Sequence, residues 1–123
     1  MLGWSMSKFV QRTSLHIRVI TEGGVVFGWG RADLLSHIAN TGSIAAAGRQ
    51  MGMSYKRAWA LVEALNQAFH SPLVEAAKGG AGGGGAHLTP VGLEMLAAYR
   101  EIEIVAAEAG AAALEKIGAA LKP

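Results

Sequence analysis

The residues best suited to meeting a polyanion form one run, Ser54-Tyr55-Lys56-Arg57. Lysine and arginine are cationic donors, and arginine's planar fork matches a phosphate or a guanine edge. Serine and tyrosine add hydroxyls that both donate and accept. A second set follows downstream, Lys78 with Gly79, Gly80, Gly82 and Gly83, inside a glycine run that ends at Gly85. A segment nearly free of side chains can bring backbone N–H groups and one lysine close to a nucleic-acid backbone. Ser43 and Arg49 complete the candidate DNA contacts. Other chemistries fare worse. The chain has no cysteine, which removes thiol catalysis, cysteine metal sites and disulfides. His16, His37, His70 and His87 are far apart and belong to no carboxylate motif, so neither a metal site nor a catalytic centre is expected. The glycine run has no Lys-Ser or Lys-Thr after it and lacks the dinucleotide-binding spacing. No cofactor is expected, and the chain reads as a non-enzyme.

These residues need elements to hold them. Ser54 can cap a helix, and Ala58, Leu61, Val62, Leu65 and Phe69 recur on one stripe of it. Lys56, Ala60, Glu63 and Gln67 lie opposite, with Arg57 and Trp59 on the flanks. One face can therefore pack while the other meets a partner, as a DNA recognition helix requires. Upstream, Ser43 can cap a short helix from Ile44 to Met51, and Gly52 separates the two. Gly48 offers the small residue such a crossing needs, and Ala58 and Leu61 stand at the expected core positions. Short helix, glycine turn and longer helix spell a helix-turn-helix. A preceding helix over 31–39 stops at Asn40-Thr41-Gly42.

The flanking segments follow. Leu15 to Ile20 and Val25 to Trp29 read as two strands joined through Thr21-Glu22-Gly23-Gly24. Residues 72–77 and 86–89 read as a second hairpin around the glycine tip, in the place of a wing. Thr89-Pro90 opens a final helix predicted to run some thirty residues, with Leu96, Tyr99, Ile102, Val105, Ala109, Ala113 and Ile117 as an apolar stripe. Such a stripe exceeds what so small a domain can cover, which points to a second copy of the chain. The expected architecture is mainly α with small β-hairpins, a winged helix-turn-helix with a long C-terminal dimerisation helix. Its parts are an arm over 1–14, a hairpin over 15–29, helices over 31–70, a wing over 72–89 and the dimerisation helix over 90–121.

At 123 residues, 51% of them hydrophobic, one domain with a core is expected. No apolar run has the length of a membrane span and no signal peptide is evident, so cytoplasm is the expected location. The net charge of +2 conceals an asymmetry. Residues 1–90 hold eight lysines and arginines against four acids, and residues 91–123 hold three against five. The basic part surrounds the candidate recognition helix, consistent with a polyanionic partner for it.

Ser54-Tyr55-Lys56-Arg57-Ala58-Trp59, then Leu73-Val74-Glu75, then the glycine run ending in His87-Leu88-Thr89, together resemble the DNA-binding domain of the ModE family of molybdate-responsive transcriptional regulators. The segment from Ile44 to Gly92 also resembles, more loosely, the winged helix-turn-helix of LysR-type regulators. The resemblance covers roughly residues 15–121. It implies a homodimeric reader of double-stranded DNA, carrying its contacts on the recognition helix and the wing, that controls genes of molybdate transport or molybdoenzymes. Ala76 and Ala81 depart from it, standing where family members can carry basic residues. In full-length relatives, molybdate-binding domains would follow Pro123, so this chain is expected to bind no molybdate itself. The alternative is a winged-helix protein-interaction module that does not read DNA.

Overall fold

The computed structural model describes residues 13–77 and 85–123. The arm up to residue 12 and the wing tip, with Lys78, Gly79, Gly80, Gly82 and Gly83, lie outside the described residues. The elements run in the order β1 (Val19–Thr21), β2 (Gly24–Phe27), α1 (Trp29–Thr41), α2 (Ile44–Gln50), α3 (Tyr55–Ala68), β3 (Val74–Ala76), β4 (Ala86–Leu88), α4 (Pro90–Ala109) and α5 (Ala111–Ala119). Each strand pair is an antiparallel hairpin, β1 with β2 and β3 with β4. The mainly α architecture with small hairpins is as expected.

Local chemistry sets the helix boundaries. Ser43 Oγ accepts from Ala46 N–H at 3.0 Å, Ser54 Oγ from Arg57 N–H at 3.1 Å, and Thr89 Oγ1 from Gly92 N–H at 2.9 Å. All three N-caps were legible from residue type alone. The α1 helix ends at Gly42, whose φ of 71° is left-handed and whose N–H donates back to Ile38 O at 2.8 Å. Gly52 repeats that conformation with φ 70° and turns the chain between α2 and α3.

The core sits where these helices meet the wing base. Leu34, Leu35 and Ile38 of α1, Val62 and Leu65 of α3, and Leu73 are fully buried, each contributing on the order of 1.5–3 kcal/mol. Phe27 from the first hairpin stacks on Tyr99 of α4, ring centroids 5.4 Å apart, and meets Phe69 at 6.0 Å. That aromatic group attaches the N-terminal hairpin to the rest.

Three expectations need correction. The first strand is confined to Val19–Thr21, because the preceding segment spends its polar groups on the C-terminal helices. Tyr99 donates its hydroxyl to Ile17 O at 2.6 Å, and Thr13 Oγ1 to Leu114 O at 3.5 Å. The first helix starts at Trp29, assigned by sequence to the returning strand, because extended Gly28 already acts as its N-cap. The final helix is two segments, interrupted at Gly110, where φ −95° and ψ 4° leave helical geometry. A glycine there is about 1 kcal/mol poorer than alanine at holding a helix straight.

Candidate nucleic-acid interface

Close packing at the α2–α3 crossing positions the site. A Cβ built on Gly48 would stand 3.0 Å from the Cβ of Ala58, so the two helices approach nearly as closely as side chains permit. Met53 N–H donates to Gly48 O at 2.9 Å, closing the turn. With Ala58, Val62 and Leu65 buried below, the first two turns of α3 face outward. Ser54, Lys56, Arg57, Ala60 and Leu61 line one open hollow of about 360 Å³ there. Tyr55, Lys56, Arg57 and Arg49 are exposed, and Arg49 sits in the last turn of α2 beside the glycine turn. Ser43 is half-buried. Its hydroxyl and that of Ser54 accept the capping bonds given above, which leaves each O–H free to donate to an anion. The structure thus brings Ser54, Lys56 and Arg57 together around one hollow, with Tyr55 exposed in the same helical turn and Arg49 exposed at the end of α2.

Two connections hold the wing base beside this surface. Asn66 of α3 accepts from Leu73 N–H at 2.8 Å and from Val74 N–H at 3.1 Å, and donates to Val74 O at 3.0 Å. Ala86 N–H donates to Gly42 O at 2.8 Å, tying β4 to the turn before α2. Register is regular, with Val74 opposite Leu88, Glu75 opposite His87 and Ala76 opposite Ala86. Glu75 and His87 form an exposed cross-strand pair at 3.5 Å, of the kind that adds little stability. Beneath the wing, Thr89 Oγ1 donates to Pro72 O at 2.7 Å, and a Cβ on Gly92 would fall 2.1 Å from Leu73 O. The start of α4 can therefore lie against the wing base only because residue 92 has no side chain.

The α4 helix is fixed to α1 by Arg100. Its guanidinium bonds Asp33 at 2.8 Å, Glu103 at 2.9 Å and Ser36 at 3.1 Å. Burial works to lower the Arg100 pKa, but the bonds to Asp33 and Glu103 outweigh it and hold the pKa above its ordinary value. Burial raises the Tyr99 hydroxyl pKa, and the charge of Glu103 adds to the effect.

Of the sequence-expected interface residues on the final helix, Leu96 packs against the protein's own core and Tyr99 is only 2% exposed. Ile102 at 43%, Val105 at 55% and Ile117 at 57% stay exposed, as do Ala109 and Ala113. On α4 the seam left outward is Ala98, Ile102, Val105 and Ala109, at alternating spacings of four and three, and Val91 and Met95 extend it inward at the same spacing.

Sequence reasoning missed two contributors. Asn66 gave no signal, since an asparagine late in a helix seldom organises a neighbouring strand. Trp59, placed only on a flank, stacks on Tyr55 with centroids 6.5 Å apart and planes 7° from parallel. Their i, i+4 spacing at the exposed start of the helix was the available clue. Among the described residues no group of three or more His, Cys, Asp or Glu could hold a metal ion, and no helix is long and apolar enough to cross a membrane.

Known proteins match this arrangement. Over 85 residues the chain is 49% identical to the molybdenum-pterin-binding protein MopB of Rhodobacter capsulatus, covering 69% of this chain and 32% of MopB. Over 69 residues it is 46% identical to the DNA-binding transcriptional dual regulator ModE of Escherichia coli (strain K12), covering 56% of this chain and 26% of ModE. The chain thus spans about a third or less of the length of these curated relatives. A solved structure, the crystal structure of the CbnR_DBD-DNA complex, shares the fold with a TM-score of 0.54 at 22% identity, covering 69% of this chain and 92% of that one. Residues 29–93, from the first residue of α1 into the first turn of α4, match a family pattern that encloses both the helix-turn-helix and the wing. The chain belongs to the lysR family of bacterial regulatory helix-turn-helix proteins.

Proposed function

We propose that this chain reads duplex DNA as a transcriptional regulator, with α3 in the major groove. Lys56 and Arg57 meet phosphates or base edges, Ser54 and Tyr55 add hydroxyl contacts, and Arg49 and Ser43 anchor the backbone beside them. The wing lays Lys78, Gly79, Gly80, Gly82 and Gly83 along the flanking backbone. One observation carries the reading. Two exposed cations stand in the first turn of a serine-capped helix that is locked to α2 at Gly48 and to the wing base at Asn66. A rigidly held cationic helix end is what phosphate and base-edge contacts require.

Within this proposal the regulator is a homodimer joined along α4, through Ile102, Val105 and Ala109, with Ala113 and Ile117 of α5 beyond the interruption. Support comes from the seam of apolar residues at alternating three- and four-residue steps, the pattern by which helices pair. The genes it controls serve molybdenum transport or molybdenum enzymes, a reading supported by the molybdenum names of its relatives. The part proposed for the residues named here is the DNA contact.

Selection from a pool of random duplexes tests the proposal. It should enrich a two-fold-related sequence whose half-sites lie about one helical turn, or a multiple, apart. A pool that stays random after repeated selection would contradict it.

A further inference from the structure

We propose that the stacked pair Tyr55 and Trp59 is an apolar reader of thymine, recognising its 5-methyl group in the major groove. The proposal rests on the DNA-binding reading above and extends it to a chemical class of base. Tyr55 is 58% exposed and Trp59 39% exposed, although both lie on a helix whose apolar stripe is otherwise turned inward. Their rings are almost parallel, so together they present one flat apolar step. Tyr55 shares its turn with Lys56 and Arg57. Trp59 lies seven residues, two helical turns, before Asn66, which bonds the wing strand. The step therefore runs along the wing side of α3, next to its cationic end.

The chemistry of the neighbours makes the assignment specific. Lys56 and Arg57 are donors without acceptors, suited to phosphate or to guanine O6 and N7. They have no means of recognising the one apolar mark in the major groove, the thymine methyl. A rigid aromatic surface does, at small cost in conformational entropy because its side chains turn about only two angles. Neither ring belongs to the buried face of α3, which Ala58, Val62 and Leu65 form.

The test uses a duplex enriched from the random pool, synthesised with thymine or with deoxyuridine at each thymine in turn. Wild-type protein should bind the thymine form about fourfold more tightly at a contacted position, the value of one methyl group removed from water. Trp59→Ala should bind both forms alike while keeping native circular dichroism and its salt dependence. Trp59→Phe should keep part of the discrimination. An effect of deoxyuridine on duplex shape alone would persist in Trp59→Ala and overturns the assignment. Equal wild-type affinity for both forms at every thymine also overturns it, while leaving the DNA-binding reading intact. Failure to enrich any duplex removes that reading and this one with it.

Discussion

Asn66 and Val74 bond each other reciprocally, Asn66 Nδ2 donating to the Val74 carbonyl at 3.0 Å and Asn66 Oδ1 accepting from Val74 N–H at 3.1 Å. One side chain thus supplies the pairing a neighbouring strand would give, and the same Oδ1 takes Leu73 N–H at 2.8 Å. The α3 helix and the wing base are thereby a single unit. Asn66→Ala should cost roughly 2–3 kcal/mol, because it leaves polar backbone groups unpaired in a partly buried place. Denaturant unfolding measures the loss, and hydrogen exchange should show the Leu73 and Val74 amides losing protection. Unchanged protection at both amides would mean the side chain does not hold the strand.

Gly92 offers a second stability test. Alanine would be the better helix former by up to about 1 kcal/mol. Its Cβ would nonetheless meet the Leu73 carbonyl oxygen at 2.1 Å, and that oxygen is backbone, held by Thr89 N–H at 2.9 Å. Overpacking of this kind costs about 1–3 kcal/mol or more. Gly92→Ala should therefore lower the melting temperature. A melting temperature equal to or above wild type would show that α4 has room to move off the wing base.

Much of this arrangement was legible in the sequence. Ser43, Ser54 and Thr89 announce their helices because a capping hydroxyl is a local device. The inward stripe of α3 was readable from its period, and Gly48 from its place four residues before the turn glycine Gly52. What escaped depends on tertiary competition. Leu15 to Arg18 alternate like a strand, yet their segment is held by Tyr99, some eighty residues away in the chain. Tyr99 itself fits the exposed stripe by spacing, but Phe27 draws its ring into the core. Periodicity places a residue on a face of a helix without saying which neighbour claims that face. Gly110 is a weak helix former, but residue type alone does not say that the final helix breaks there.

Dimerisation along α4 has its own test. Ile102→Asp places a carboxylate in the middle of the seam formed by Ala98, Val105 and Ala109, and should convert a dimer to a monomer in sedimentation at tens of micromolar. Ile104→Ala, an exposed position well round α4 from that seam, should leave the dimer unchanged. Tight binding to the two-fold-related duplex should be lost with the dimer. A wild-type monomer at those concentrations would sink the two-copy reading and leave only single half-site binding.

The salt dependence of duplex binding tests the central claim most directly. If Lys56 and Arg57 neutralise phosphates, the logarithm of affinity falls linearly with the logarithm of salt, and each lost phosphate contact lowers the slope by about 1. Wild-type protein should give a steep negative slope. Lys56→Ala and Arg57→Ala should each bind more weakly with native circular dichroism, and each should either flatten the slope by about 1 or, where the side chain reads a guanine, lose about 1–3 kcal/mol of discrimination at one base pair. A wild-type affinity indifferent to salt, or two variants matching wild type in affinity, slope and sequence preference, would contradict the account.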